Sequence, residues 1–385
     1  YTTYLVNDET AQLDETVNGS FGGIGAELKS DQSRVVISTT MEGSPSQQVG
    51  LQTDDVITKV DGEDMTGKTI SEVVKKVRGE VGTDVVLTIE RAGTSLEVKL
   101  TRASIAINTV KAELDKEDAT IGHIRITSFA KNTAEELEKA VKDLTEKGAK
   151  SFVFDVRYNP GGLLDQAYKV ANMFLKDGET IVQVEDRLGD KKVYKASSEI
   201  GKFKITQPYV LLVNEGSASA SEILAAALKE GAGAQIVGTK TYGKGTVQSV
   251  IDIADNSELK YTNAKWLTPK GNWIHKEGVT PTKEVNLPDY AFLKIIDARE
   301  TLKVGTVSQN VLSVETILKG LGYSVTADGY FDEATQNAVK AYQQKEGLTA
   351  TGEVDEETAQ KLMNSVRELI QQNDTQYQAA KELLK

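Results

Sequence analysis

The 385-residue sequence has no cysteine, only two histidines and no apolar run long enough to cross a membrane. Without cysteine there can be no disulfide, no thiolate zinc site and no cysteine nucleophile. Histidine chemistry is limited to His123, which sits in an alternating strand pattern, and His275, which sits in a turn flanked by lysine and glycine. The longest strand-like apolar runs, Tyr209–Val213 and Val85–Ile89, fall far short of the roughly 18 to 20 residues that a membrane helix needs. Positive charge is also in deficit. A formal net charge of −12 argues against a nucleic-acid partner, because phosphate binding takes a concentrated basic face. The chain opens on Tyr1 and not on methionine, so it reads as a piece from which the true N-terminus, with any signal or anchor, has been removed.

What remains is ordinary globular material, 39% apolar and 26% charged, with a length that predicts two to four domains. After a polar lead-in over residues 1–20, Phe21-Gly-Gly-Ile-Gly25 opens a region of short strand patterns interrupted by one helix at about Thr69 to Val77. From about residue 104, strand and helix alternate, as in an α/β core. Ile121–Ile126 reads as a strand, and Thr133-Ala-Glu-Glu136 as a capping box opening a helix with Leu137, Val141 and Leu144 on one face. Ser151–Val156, Leu164–Leu175 and Tyr209–Val213 follow as strand, helix and strand. Residues 306–363 form a helical unit with a weak internal repeat, Asp328–Thr335 echoing Thr351–Thr358.

Three segments carry candidate chemistry. In Asn214-Glu-Gly-Ser-Ala-Ser-Ala-Ser-Glu222 a strand turns through Gly216 into a helix start, which sets hydroxyls beside free backbone N–H groups able to hold an oxyanion. Ser219 and Glu222 also have the spacing of a plain capping box, and Ser217, Ser219 and Ser221 compete as nucleophiles without the spacing choosing among them. The segment Gly238–Gln248 offers Lys240 and Lys244 as a base. A free lysine is roughly 0.04% neutral at pH 7, so a lysine base must be desolvated; lowering its pKa by about 3 units costs ~4 kcal/mol. In a straight strand, residues four apart are separated by ~13 Å, so contact between Lys244 and Gln248 needs a bend at the glycines. Gly243-Lys244 is followed by Gly245, where a phosphate loop needs serine or threonine, so the phosphate-loop pattern is not met. The third segment, Asp155-Val-Arg-Tyr-Asn-Pro-Gly-Gly162, ends a strand in a turn whose glycines let the backbone approach a ligand.

In this order, Asp-x-Arg-x-Asn-Pro-Gly-Gly, Gly-Ser-Ala-Ser-Ala-Ser-Glu and Gly-Lys-Gly-Thr-Val-Gln resemble the motifs of the carboxy-terminal processing proteases, tail-specific peptidases of the serine–lysine type. The resemblance implies Ser219 as nucleophile, Lys244 as general base and Gln248 as the residue orienting the lysine. It also implies an oxyanion hole from the Ala220 N–H and that of Gly161 or Gly162, and neither a cofactor nor a metal. The implied fold is multidomain, α/β and α+β: lead-in 1–20, a PDZ domain at 21–103, a Clp-protease or crotonase-like core at 104–303, a peptidoglycan-binding-like helical domain at 306–363 and a helical tail at 364–385.

The PDZ resemblance places Phe21, Gly22, Gly23, Ile24 and Gly25 at the loop that receives a peptide carboxylate, and Arg78 at a position coupled to the protease core. Its usual Pro-Gly-Asp turn is Thr53-Asp-Asp55 here, which puts that turn in doubt. The implied partners are protein or peptide substrates with apolar C-termini, the cell wall and a second copy in a homodimer. The implied location is extracytoplasmic, secreted or anchored. A histidine-dependent PDZ protease would want a Gly-Asn-Ser-Gly-Gly loop, and the sequence has none.

Overall fold

A computed structural model describes residues 2–6, 8–31, 33–253 and 257–385 and divides the chain into two compact units. The first comprises residues 1–209, 213–234 and 241–279; the second comprises 210–212, 235–240 and 280–385. Among the described residues no helix is long and apolar enough to cross a membrane.

Within the first unit, the strands Ala26–Asp31, Arg34–Thr40, Val56–Val60, Asp84–Arg91 and Thr94–Thr101 form an antiparallel sheet in that order. Alternation sets its core: Val85, Leu87 and Ile89 all face inward, against Val73 and Val77 of the helix Ile70–Val77. Thr69 and Glu72 close a full capping box at the start of that helix. At the altered turn, Asp54 takes a φ of 68°, the left-handed conformation that a glycine would adopt without strain. Asp55 beside it is buried and bound by Nε and Nη2 of Arg91, each at 2.7 Å. The strand Ser20–Gly23 pairs separately with Ala103–Ala106.

Further along the first unit, Ile121–Ile126 pairs antiparallel with Val110–Leu114 and parallel with Ser151–Asp155. The helix Thr133–Glu146 buries Leu137, Val141 and Leu144, but the expected capping box at its start does not form. Asn132 stands at the cap position but caps no helix N–H; its Nδ2 donates to Glu136 Oε1 at 2.6 Å and to the Ile107 carbonyl. Thr133 Oγ1 instead accepts the Ala130 N–H, and the Glu136 carboxylate accepts the Thr109 and Val110 N–H groups at 2.7 and 3.1 Å. Unpaired donors at the neighbouring strand outcompete the local cap.

Four strands have no counterpart in the apolar pattern: Thr180–Asp186, Lys191–Lys195, Thr246–Asp252 and Ser257–Leu267. They join Thr3–Val6 in one sheet built around Ser257–Leu267, which pairs with Thr3–Val6, Thr180–Asp186 and Thr246–Asp252.

In the second unit, Gln235–Gly238 pairs parallel with Lys283–Glu284. The helices Gln309–Gly320, Glu333–Lys345 and Glu356–Gln372 enclose a core that includes Val314, Ile317, Phe331, Val339, Tyr342 and Leu362. The sequence repeat is two copies of one cap: Asp332 accepts the Thr335 N–H at 2.7 Å and Asp355 the Thr358 N–H at 2.8 Å. The third helix runs on past residue 363 to Gln372, and a last helix, Thr375–Glu382, bonds back to the carbonyls of Val285 and Asn286.

Candidate active site

The apolar strand Tyr209–Val213 leads into a turn organised by Asn214, whose Oδ1 accepts the N–H groups of Tyr158 and Gly216 at 2.8 and 3.1 Å. The turn gives the three serines different fates. Ser217 is fully buried; its Oγ donates to the Val156 carbonyl at 2.8 Å and accepts the Asn214 N–H. Ser221 is equally buried, and its Oγ donates to the Asn159 carbonyl at 2.9 Å. Ser219 alone of the three lines an open cavity of about 340 Å³. Its backbone sits at φ 55° and ψ −111°, a region sparsely populated by residues with a side chain and costing on the order of 1–3 kcal/mol. A sharp, strained turn between strand and helix pushes the serine side chain out of the backbone path.

Glu222 holds this turn. Its carboxylate accepts the Ser219 N–H at 2.8 Å, which is the acidic half of the expected capping box. The same carboxylate, fully buried, accepts Thr241 Oγ1 at 2.6 Å and the N–H groups of Gly243 and Lys244 at 2.7 and 2.8 Å. One side chain thus fixes the serine turn and the lysine segment together, through four charge-assisted bonds.

The lysine segment is held on its other sides as well. Lys244 and Gly245 offer their carbonyls to the indole N–H groups of Trp266 and Trp273, at 2.8 and 2.9 Å. The Gly243 carbonyl accepts the Lys276 N–H. Gly243 has φ 91°, and a Cβ there would press on the backbone of residues 276–278 at 3.0 Å. After this bend the chain enters the strand Thr246–Asp252, with a register shift between Val247 and Gln248. Lys244 and Gln248 thereby line the same cavity as Ser219. Burial pushes the Lys244 amine below the ordinary lysine range and the neighbouring charge of Lys260 adds to this, while Glu222 opposes both.

The Asn-Pro-Gly-Gly turn forms the facing wall. Tyr158 is left-handed at φ 58°, and Gly161 and Gly162 have φ of 103° and 149°. A Cβ on Gly161 would lie 2.7 Å from the Ala218 carbonyl and 2.9 Å from the Ala220 nitrogen, so only glycine lets this turn touch the serine loop. Ala220, Gly161 and Gly162 all line the cavity. The Gly161 N–H, however, is occupied by Asn159 Oδ1 at 2.9 Å. Behind the turn, Asp155 is buried; burial raises its proton affinity, but hydrogen bonds from His123 and Arg157 outweigh that and hold the carboxyl well below the usual range. His123 and His275 both lie off the cavity. His275 stacks on Trp273, and its Nδ1 accepts the Gly245 N–H at 3.3 Å.

In the PDZ region, Phe21, Gly22 and Gly23 form the strand that pairs with Ala103–Ala106, and Ile24 enters the local core. Gly25, at φ 72°, packs on Ser44, and its carbonyl accepts Ser46 Oγ at 2.7 Å. The Gly22 carbonyl receives the Gly79 N–H, and a Cβ on Gly22 would collide with the Gly79 carbonyl at 1.9 Å. Arg78, just before this contact, covers the Phe21 ring at 3.9 Å and pairs with Glu15 at 2.7 Å. Glu15 belongs to the helix Asp8–Asn18, whose Leu13 and Val17 line the same cavity as Ser219.

A solvent-reachable serine that shares a cavity with a partly desolvated lysine has the makings of a serine hydrolase. The profile of peptidase family S41 matches residues 120–285, that of a PDZ domain residues 36–91, and that of a "Putative peptidoglycan binding domain" residues 307–362. A carboxy-terminal processing protease, CtpA, of Bacillus subtilis (strain 168) is 42% identical over 100% of this chain and 82% of its own length. A "Probable CtpA-like serine protease" of Staphylococcus aureus (strain bovine RF122 / ET3-1) is 40% identical over 97% of the chain and 75% of its own. Among solved structures, a photosystem II D1 C-terminal processing protease is 31% identical, covering 74% of this chain and 78% of that one, with a TM-score of 0.44. The chain belongs to peptidase family S41 and is a carboxy-terminal processing serine protease with a PDZ domain.

Local composition hides two of the residues that build the site. Glu222 is legible in the sequence only as a cap, because its bonds to Thr241, Gly243 and Lys244 span about twenty residues. Lys260 sits in a polar strand without an apolar signal; Leu259 and Tyr261 on either side of it are its only trace.

Proposed function

We propose that Ser219 and Lys244 form the catalytic dyad of an endopeptidase. The Lys244 amine takes the Ser219 hydroxyl proton as Oγ attacks the scissile carbonyl. The protonated lysine then returns that proton to the departing amine, leaving an acyl-enzyme that water hydrolyses by the same route in reverse. Gln248 orients the lysine. The Ala220 N–H at the helix start is one oxyanion donor; with Gly161 engaged by Asn159, Gly162 is the second.

What carries this reading is the sorting of the serines: two are buried and spent on carbonyls, and the third shares a cavity with Lys244 and Gln248. Desolvation of Lys244 supports it, since a lysine base must spend part of its time neutral. Cleavage of a peptide with an apolar C-terminus should fall by at least about 10³-fold in both Ser219→Ala and Lys244→Ala, with folding retained. Undiminished turnover in either variant rejects the dyad.

The substrate tail binds at Phe21–Gly25, where a glycine-rich turn gives backbone N–H groups to the carboxylate and a strand edge to the peptide. A bound tail gates the core through Arg78, by drawing its guanidinium away from Glu15 and the helix over the cavity. The domains divide at 21–103, 104–303, 306–363 and 364–385. The protein works outside the cytoplasm as a homodimer, and residues 306–363 hold it to the cell wall.

A further inference from the structure

Lys260 lies in the middle of the strand Ser257–Leu267 and is fixed from both sides, pairing with Thr3 in one neighbour and Val250 in the other. Cross-strand partners share a face, so Lys260 points the same way as Val250 and Gln248, into the catalytic cavity, which it lines with Lys244. Among the described residues no carboxylate lies within ion-pair distance of Lys260, and it is half-buried. Glu258, two residues back on the same strand, lies outside the cavity.

The charged groups around Lys244 are few. Lys260 faces it from the strand, and Glu222 lies behind it at the helix start. The helix Asp8–Asn18, the segment 160–164 and the strand Thr246–Asp252 present only uncharged lining residues among those described. Apolar walls such as Ile223, Val250 and Trp266 reduce the screening between two ammonium groups that share this space.

We propose that Lys260 is a positioning residue that acts through charge: its ammonium disfavours a second positive charge in the cavity and so keeps Lys244 available as a neutral base. Without it, Glu222, whose carboxylate is bound to the Lys244 backbone, would favour the protonated lysine. The two effects on Lys244 are opposite in sign. This inference rests on the dyad proposed above.

The test is the pH dependence, from about pH 6 to 10, of the rate at which a fluorophosphonate labels Ser219 in the full chain. In Lys260→Met the acid limb should move to higher pH, making labelling roughly tenfold slower at pH 7, with the deficit closing as pH rises. Lys260→Arg keeps the charge and should keep the parent limb. Lys260→Gln serves as a second uncharged variant should methionine impair folding, which the thermal midpoint would reveal. An unmoved acid limb in the uncharged variants overturns the proposal. So does an equal displacement in Lys260→Arg. A rise in KM for carboxylate-bearing peptides with the limb unmoved also overturns it and makes Lys260 a substrate contact. Lys244→Met is run in parallel: labelling at the parent rate there means that the dyad itself, and not the role of Lys260, is wrong.

Discussion

Replacing Glu222 by glutamine keeps the shape of the side chain but swaps one acceptor oxygen for an amide that must point its own hydrogens at the donors of Ser219, Thr241, Gly243 or Lys244. The expected cost is about 1–3 kcal/mol of stability. Because the serine turn and the lysine segment would drift apart, kcat should fall by roughly 10²-fold with a smaller change in KM. Steady-state kinetics beside a denaturation curve separates the two effects. Asp155 gives a prediction about pH. Its folded-state pKa lies below the unfolded value, so the stability it contributes is complete above about pH 4 and drains away as acid titrates the folded carboxylate. Asp155→Asn weakens the bonds that Arg157 and His123 make to this buried carboxylate and should cost about 1–3 kcal/mol at neutral pH. Melting midpoints of the two proteins should converge as the pH falls below that value.

At the scale of turns and strands, Gly161→Ala should be among the most damaging small substitutions in the chain. The new methyl group meets three backbone or Cβ atoms under 3.0 Å in a turn whose φ of 103° disfavours any side chain. Peptide cleavage should drop by at least about 10²-fold while the PDZ region still binds peptide, as read by fluorescence anisotropy. Asp54→Gly points the other way: it relieves a left-handed residue and should stabilise by up to about 1 kcal/mol, less the exposed pair with Lys29, measured by thermal denaturation. These turns also mark the limits of what local sequence could reveal. The helix Ile70–Val77, the strand Asp84–Arg91 and the serine, lysine and Gly-Gly segments were legible because each carries its own period, cap or glycine spacing. Ser257–Leu267 was not, because its solvent face is polar and its partners lie far away in the chain, at Thr3–Val6 and Thr180–Asp186. Thr133 and Glu136 misled for a related reason: they have cap spacing but spend their oxygens on Ala130, Thr109 and Val110. Spacing alone left three serines open and only the resemblance named Ser219; packing buries Ser217 and Ser221 and leaves Ser219 on the cavity.

At the scale of the whole chain, the C-terminal helices are more than an appendix. Gln376 Nε2 and Thr375 Oγ1 bond to the carbonyls of Val285 and Asn286, just after the strand Lys283–Glu284, and Ala380 is fully buried. Ending the chain after residue 303 removes those partners and should destabilise what remains by about 1 kcal/mol for each lost bond, with more from the lost burial; limited proteolysis near residue 285 would detect it. Cell-wall binding is therefore better tested with the intact chain, by sedimentation with purified peptidoglycan. The desolvated amine of Lys244 also has a consequence for chemical labelling. In a protein without thiols, a lysine with lowered proton affinity and an opening to solvent is more ready to react near neutral pH than an ordinary surface lysine. A limiting dose of a small amine-directed acylating reagent should mark Lys244 ahead of the surface lysines, and mass spectrometry would then follow inactivation as the modification of one residue.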